Sequence, residues 1–146
     1  MLQETRTFAT GGRGSGGTVD PLTSQGSLTL SEDKSLLFAV NAGSGDLSVL
    51  RVRSSSLSLI DIEPTGGAEP VAVAQHGNLV YVLNSAASSS VAGFRLRQDG
   101  SLRPINNSLR FLSGNNAIGA SLAFSPDGAF LAATERATNT IDVFKV

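Results

Sequence analysis

Short apolar runs separated by polar, turn-forming residues make up most of this chain, and one arrangement of them occurs three times. Each occurrence has an apolar tetrad, a polar turn and a continuous apolar run. The three stretches are SLTLSEDKSLLFAVN from Ser27, PVAVAQHGNLVYVLN from Pro70 and SLAFSPDGAFLAATE from Ser121. Because the second run in each stretch shows no polar alternation, it predicts a strand that is buried on both faces.

A second block follows each of these stretches and repeats with the same period. Its three copies are SGDLSVLRV, SSSVAGFRL and TNTIDVFKV, with a basic residue second from the end each time. Starts that lie 43 and 51 residues apart, and a repeat built from short β-type runs, are typical of propeller blades with four antiparallel strands. The predicted fold class is therefore all-β, a β-propeller, with strands a to d running from the axis outward in each blade.

The repeats place strand a at residues 27–30, 71–74 and 121–124, and strand b at LLFAV, LVYVL and FLAAT. Strand d is predicted at LSLIDI and at SLRPI, where Pro104 fits an outer edge because its missing N–H costs no ladder bond. The turn SPDGA combines proline with Asp127-Gly128, which is strong turn chemistry.

The two ends of the chain complete this strand count. The stretch ETRTFATGG resembles the SLSLIDIEPTGG that closes the first full repeat, whereas the last residues form a strand c. We therefore predict twelve strands in the order d, abcd, abcd, abc, within a single partial propeller domain over 1–146. Its parts are a lone outer strand d at 2–10, a glycine-rich connector at 11–26, and blades at 27–67, 70–112 and 121–146, of which the last lacks its own strand d.

Three blades cannot close a ring, because propellers have about four to eight blades. Open blade faces and free strand edges invite pairing, so two arrangements are expected. Either two copies form a homodimer that closes a six-bladed ring with exchanged d strands, or the chain is part of a longer propeller. The sequence leaves this choice open.

The glycine-rich stretch TGGRGSGGTVDP does not match a phosphate-binding loop. Such a loop needs G-x-x-x-x-G-K-[ST] or G-x-G-x-x-G leading into a helix, and here no lysine follows the glycines and no helix is predicted. Its counterparts EPTGGAEP and LSGNNAIGA join strand d of one blade to strand a of the next. We interpret it as the longest of three connectors, and Arg13 and Asp20 as its candidate ligand contacts.

Connectors and b–c loops are expected at the same end of the propeller, around the mouth of the central channel. Strand b ends there in a polar residue in each blade: Asn41, Asn84 and Glu135. These side chains either bond local backbone or surround a small-molecule pocket. The candidate ligand-binding set is Arg13, Asp20, Asn41, Glu69, Asn84, Asn115, Asn116, Glu135 and Arg136, and the candidate catalytic groups are Glu69, Glu135 and Arg13.

Composition excludes several functional classes. With 11 basic and 12 acidic residues and no basic stripe, we expect neither nucleic acid nor a membrane surface as a partner. There is no cysteine, and the only histidine, His76, is predicted in an a–b turn at the end opposite the mouth. A Ser/His/Asp triad, a metal site and a cofactor are therefore not expected. The chain as given shows no export signal and is expected to be soluble, and its compartment is left open.

The run SLAFSPDGAFLAATERATNTIDVFKV, with LVYVLN and TGG-x-x-P, resembles the lactonase-type β-propeller family, which includes 6-phosphogluconolactonase-like and 3-carboxymuconate-cyclase-like proteins. The resemblance implies seven blades and a Pro-His pair in the connectors of members that act on lactones. Here Pro70 is followed by Val71. We therefore expect a non-catalytic binding or scaffold propeller that holds a small polar ligand or a protein at its mouth. The alternative is a lactone hydrolase or cycloisomerase that uses carboxylate and arginine side chains.

Overall fold

The computed structural model describes residues 3, 6–17, 24–86, 88–114 and 116–146. All regular structure in these residues is β-strand, which confirms the all-β prediction. In chain order the strands are β1 (Leu28–Leu30), β2 (Leu36–Asn41), β3 (Asp46–Arg53), β4 (Ser56–Pro64), β5 (Pro70–His76), β6 (Leu79–Asn84), β7 (Ser90–Leu96), β8 (Leu102–Pro104), β9 (Arg110–Phe111), β10 (Gly119–Phe124), β11 (Phe130–Glu135) and β12 (Thr140–Lys145).

These strands form three antiparallel sheets, one for each repeat. The first sheet has the order β1-β2-β3-β4, the second is built on β5-β6-β7-β8, and the third is β10-β11-β12. Neighbouring sheets pack through their inner strands, since β5 contacts β1 and β2 on one side and β10 on the other. At the axis, Thr29 Oγ1 donates to the Val73 carbonyl at 2.9 Å, and Val73 N donates to the Gly26 carbonyl at 2.9 Å. The repeats therefore stack as propeller blades with strand a innermost.

Two apolar cores fill the two spaces between sheets, and strand b of the middle sheet contributes to both. Val80 and Val82 pack against the first sheet, whereas Leu83 packs against the third. This explains why the run LVYVL shows no alternation, because both of its faces are buried. The first core contains Leu36, Phe38, Leu47, Val49, Val73, Val80, Val82, Ala92, Phe94 and Leu102.

The hairpin between strands a and b of the middle sheet differs from the prediction. His76 pairs with Leu79 as the last residue of β5, so only Gly77 and Asn78 form the turn. In the first sheet Leu30 pairs with Leu37, which leaves a much longer turn. A two-residue turn is possible here because Gly77 has a φ of +55°, in the left-handed region that glycine adopts without strain. The predicted position of His76 within the a–b turn was therefore wrong, because His76 is the last residue of strand β5.

The outer strand of the second sheet is split into two pieces. β8 pairs with the end of β7 and β9 pairs with its beginning, where Ser90 lies opposite Phe111. β8 ends at Pro104, although Ile105 N still donates to the Gly93 carbonyl of β7 at 2.9 Å, and the chain then loops out before pairing again at β9. The predicted outer-edge position of Pro104 is confirmed, whereas a single continuous strand d is not.

The leading segment does not form the predicted outer strand in its described part. Residues 6–10 carry no ladder bonds, and the Arg6 guanidinium donates to the Ser55 carbonyl at 2.9 Å. A Cβ placed on Gly11 would lie 2.6 Å from Ile62 Cδ1 and 2.8 Å from Leu59 Cδ2. The segment therefore rests on the side chains of β4, which already occupies the outer position of the first sheet. The third sheet has three strands in the described chain, and one edge of β12 has no neighbouring strand there.

Candidate functional site

Connectors and b–c loops meet at one end of the stacked sheets, and we call their described residues the mouth surface. It comprises connectors 11–17, 65–69 and 112–118 and loops 42–45, 85–89 and 136–139, without the undescribed residues 87 and 115. In every blade, one backbone N–H just after strand b donates to a backbone carbonyl of the connector. The pairs are Gly43 to Arg13 at 2.9 Å, Ser85 to Glu69 at 3.0 Å and Arg136 to Ile118 at 2.7 Å. This repeated bond fixes each connector on the loop beside it.

The polar residues that end strand b are buried beneath the connectors. The exposed fractions are 3% for Asn41, 0% for Asn84 and 2% for Glu135. The Asn41 amide donates to Asp46 Oδ1 at 2.6 Å and to Ser48 Oγ at 2.7 Å, both on β3. Of the two sequence-based interpretations, the geometry therefore favours local structural bonding over a pocket lining for these side chains.

In the second and third blades the polar residue that ends strand b instead accepts hydrogen bonds from the connector above it. Thr65 Oγ1 donates to Asn84 Oδ1 at 2.7 Å, and Ser113 donates to Glu135 Oε1 through both its N at 2.8 Å and its Oγ at 3.0 Å. Thr65 and Ser113 occupy equivalent connector positions, and sequence reasoning did not single them out. The signal available was a hydroxyl residue directly before a connector glycine in both repeats.

Glycines are required in the connectors because these polar side chains lie directly under them. A Cβ on Gly67 would lie 2.6 Å from Asn84 Cγ, and a Cβ on Gly12 would overlap the Asn41 amide. The first glycine of each Thr-Gly-Gly is also in the left-handed region, with φ of +89° at Gly11 and +73° at Gly66. Close packing and turning therefore account for this part of the glycine-rich stretch.

Glu135 is held in place by its neighbours in the third blade. Its second carboxylate oxygen accepts the Thr138 hydroxyl, and this bond, opposed by desolvation, holds the Glu135 pKa below its usual value. Burial raises the pKa of the neighbouring Asp142 carboxyl, and the adjacent Glu135 raises it further. Because its oxygens are occupied, Glu135 is not available to pair with Glu69 as an acid–base couple at the mouth.

Glu69 lies instead in an open part of the mouth surface. A cavity of about 370 Å³ is lined there by Ser15, Ala42, Gly43, Ser44, Gly45, Gly67, Ala68 and Glu69. The Glu69 backbone has a φ of +52°, which is uncommon for a residue with a side chain and favours an explanation by function or by local constraint. Its carboxylate is exposed, so the cavity presents one acidic group among small residues and backbone groups.

Arg13 flanks the same cavity through its backbone. Its N donates to Ser44 Oγ at 2.8 Å, its carbonyl accepts from Gly43, and its side chain is exposed. Arg13 and Glu69, both candidates from the sequence, thus lie on connectors that bound loop 42–45, and Glu69 lines the cavity. The sequence did not predict the small residues that line it.

The remaining predicted residues are distributed away from this cavity. Asn116 and Arg136 are exposed on the third-blade part of the mouth surface, whereas Asp20 and Asn115 lie outside the described residues. In the described part of the chain, no cluster of three or more His, Asp or Glu side chains could hold a metal ion. None of the described segments is a helix of the length and hydropathy needed to cross a membrane.

His76 lies at the opposite end, as predicted, but it is not simply a solvated residue. Its Nδ1 is 3.0 Å from Glu32 Oε1 in the first sheet's turn, and its ring lies 5.7 Å from that of Phe124 in the third sheet. The side chain therefore bridges all three sheets. No signal within the second repeat could predict this, because it depends on how the sheets stack.

A family model described as "Lactonase, 7-bladed beta-propeller" matches residues 15–115, which is more than half of the chain. The chain matches no curated protein. Among solved structures, a candidate 6-phosphogluconolactonase of Bacteroides uniformis is 30% identical with a TM-score of 0.69, and the match covers 82% of this chain and 38% of that one.

Two further solved structures have the same fold. The periplasmic gluconolactonase PpgL of Pseudomonas aeruginosa is 26% identical with a TM-score of 0.65, covering 81% of this chain and 38% of that one. A candidate 6-phosphogluconolactonase of Bacteroides fragilis, at 21% identity and a TM-score of 0.67, covers 81% and 33%. The chain thus spans less than two fifths of the length of these structures.

Proposed function

The chain belongs to the seven-bladed lactonase β-propeller family, and from that premise we propose that it supplies three blades and part of the mouth of a propeller that hydrolyses a sugar-acid lactone. The cavity that Glu69 lines carries this proposal, because it lies at the end where connectors and b–c loops meet. The comparisons support this alternative over the non-catalytic scaffold that the missing Pro-His pair suggested.

Hydrolysis of a lactone adds one water across the acyl C–O bond. The water oxygen attacks the carbonyl carbon, the ring oxygen leaves and takes up a proton, and a hydroxy acid is formed. Glu69 is the group proposed to accept the proton from the attacking water, since its carboxylate is exposed beside the cavity. The Arg13 guanidinium, which is also exposed on the connector beside loop 42–45, is proposed to stabilise the negative charge on the carbonyl oxygen.

The departure from the family's Pro-His pair determines which residue is tested first. Pro70 is followed by Val71, which is completely buried in β5, so no imidazole is available at that connector. Glu69 directly precedes Pro70 and is the titratable side chain among the residues that line the cavity. It is therefore the proposed general base.

The test is turnover of glucono-1,5-lactone and its 6-phosphate by the purified protein, followed by acid release in weak buffer. We expect hydrolysis above the buffer rate, and a loss of at least about 100-fold in kcat/KM in Glu69→Gln, the usual contribution of a general base. The matched control is Glu63→Gln on outer strand β4, away from the cavity lining, which should retain the wild-type rate. Equal rates in the two variants, or no turnover by wild-type protein, would contradict the proposal.

A further inference from the structure

A second cavity lies at the end of the sheets opposite the mouth surface. Its volume is about 280 Å³, and it is bounded by the a–b turns of the first two sheets and by the c–d turn of the second. Two arginine side chains line it, Arg51 of β3 and Arg97 of that c–d turn. Because small-molecule sites begin at about 300 Å³, the size suits a small metabolite rather than a nucleotide.

The turns that form this cavity are held against each other by hydrogen bonds between the two sheets. Glu32 N, in the a–b turn of the first sheet, donates to Gln75 Oε1 of β5 at 2.9 Å. The Arg51 guanidinium donates to the Asp99 carbonyl at 2.8 Å, which ties strand β3 to the c–d turn of the second sheet. Gly100, in the same turn, is buried. The cavity is therefore a fixed feature of the interface between the first two sheets.

The acidic side chains of the lining are already used within the a–b turns. Both oxygens of the Asp33 carboxylate accept the Ser35 hydroxyl, at 2.9 and 2.8 Å. Glu32 Oε1 lies 3.0 Å from His76 Nδ1, and Glu32 Oε2 accepts Gly77 N at 3.2 Å. Each carboxylate oxygen that lines the cavity thus already has a donor or an ion-pair contact from the protein.

The basic side chains of the lining, in contrast, have donors left over. Among the described residues the Arg97 guanidinium makes no hydrogen bond, and the Arg51 guanidinium makes one, to Asp99. An arginine side chain carries five N–H donors in a planar fork that fits a carboxylate or a phosphate group. The unused hydrogen-bonding capacity of the cavity is therefore mainly that of a donor, which suits an anion.

Two leucine side chains complete the lining with apolar surface. Leu36 is 6% exposed and belongs to the core between the first and second sheets, and Leu96 packs against the same core. An apolar wall with a few charged groups is typical of sites that bind small organic ligands. The leucines therefore suit an anion that carries a short carbon skeleton.

The repeated basic residue near the end of strand c contacts different partners in the first two blades. In the second blade the equivalent Arg95 is exposed and donates to Asn78 Oδ1 in its own a–b turn at 3.1 Å, outside the cavity lining. Arg51 instead reaches the c–d turn of the neighbouring sheet. Arg95 is therefore a matched control for the arginines of the cavity.

We propose that this cavity binds a small organic anion through a carboxylate or phosphate group. Arg51 and Arg97 hold the charged group, and the carbon skeleton lies against the two leucines. The site is separate from the proposed lactonase site, because Glu69 lines the cavity at the mouth. The proposal therefore stands or falls independently of lactone turnover.

The first test is titration of the isotope-labelled protein with succinate and, separately, with glycerol 3-phosphate at constant ionic strength, followed by amide NMR shifts. We expect saturable shifts at Ser35 and Gly100, with a Kd of about 1 mM or tighter in at least one titration. The tighter of the two probes identifies the preferred anionic group. If neither probe saturates these shifts by about 20 mM, the proposal is overturned.

The second test compares variants in the same titration. Arg97→Gln should weaken binding about tenfold or more, because it removes charge-assisted hydrogen bonds from an exposed side chain without disturbing the core. Arg95→Gln removes the same charge outside the cavity and should bind within about twofold of wild type, since salt screens distant charges. Glu69→Gln should bind as wild type does. Equal losses in the two arginine variants, or a loss in Glu69→Gln, would overturn the assignment.

Discussion

Replacing Gly67 by alanine tests whether the connector glycines serve close packing. The new Cβ would lie 2.6 Å from Asn84 Cγ and from Asn84 Nδ2, and 2.8 Å from Asn84 Cβ. Asn84 cannot move aside cheaply, because it is completely buried and accepts the Thr65 hydroxyl at 2.7 Å. Either the connector lifts from strand β6 or this buried hydrogen bond is broken.

The expected cost follows from the required displacement. Ordinary carbon contacts lie near 3.5–4.0 Å, so the connector or Asn84 must shift by about 1 Å. Inserting one methyl group into a closely packed site typically costs about 1–3 kcal/mol. We take about 2 kcal/mol for Gly67→Ala, which for a chain of this length corresponds to a fall in Tm of about 4–8 °C.

The assay is thermal and urea unfolding followed by circular dichroism. The matched control is Gly14→Ala in the first connector, where no heavy atom lies within 4 Å of the added Cβ. This variant should change the free energy of unfolding by less than about 0.5 kcal/mol. Adding Asn84→Ala to Gly67→Ala should recover part of the loss, since the two nearest overlapping atoms, Asn84 Cγ and Nδ2, are then absent and only its Cβ remains. If Gly67→Ala and Gly14→Ala unfold at the same temperature, the packing explanation is wrong.

Two other predictions concern the sheet interface and a turn. Phe38→Ala, at a completely buried position between the first and second sheets, should lower the free energy of unfolding by about 3–5 kcal/mol. Phe111→Ala, at a residue that is 63% exposed, should change it by less than about 1 kcal/mol, and similar losses would argue against stacked sheets. Hydrogen bonds from Ser31 and then Ser35 lower the pKa of Asp33 to about 2, so its stabilising contribution is present above the ordinary pKa of 3.8 and is lost as pH falls through about 2. Carboxyl NMR titration should find this low midpoint in wild type and a midpoint closer to 3.8 in Ser31→Ala; identical midpoints would contradict the assignment.

The strands could be predicted from the sequence because their signals are local. Strand b is an uninterrupted apolar run in each repeat, and turns such as Pro126-Asp127-Gly128 separate it from strand a. The hairpin of the second blade was mispredicted because AQHGN has the same length as SEDKS. Its Gly77 nevertheless allows a tighter turn, and this extends β5 to His76.

The candidate site was less accessible to sequence reasoning because burial there is set by distant segments. The spacing of the repeats predicted that Asn84 and Glu69 are both polar residues near the mouth of the channel. Only the packed connector shows that Asn84 is fully buried beneath Thr65, whereas Glu69 remains exposed beside a cavity. The leading segment shows the same limit. Its sequence resembles an outer strand, but the sequence does not show which sheet edge is unpaired and could bind it.

The most direct test of the account compares Glu69→Gln with Glu135→Gln in the same lactone-turnover and unfolding assays. The account assigns chemistry to the exposed carboxylate and a structural role to the buried one, which holds Ser113 and Thr138. We predict that Glu69→Gln loses turnover with an unchanged Tm, whereas Glu135→Gln loses several degrees of Tm and keeps its turnover while folded. The reverse result, with turnover lost in folded Glu135→Gln and retained in Glu69→Gln, would contradict it.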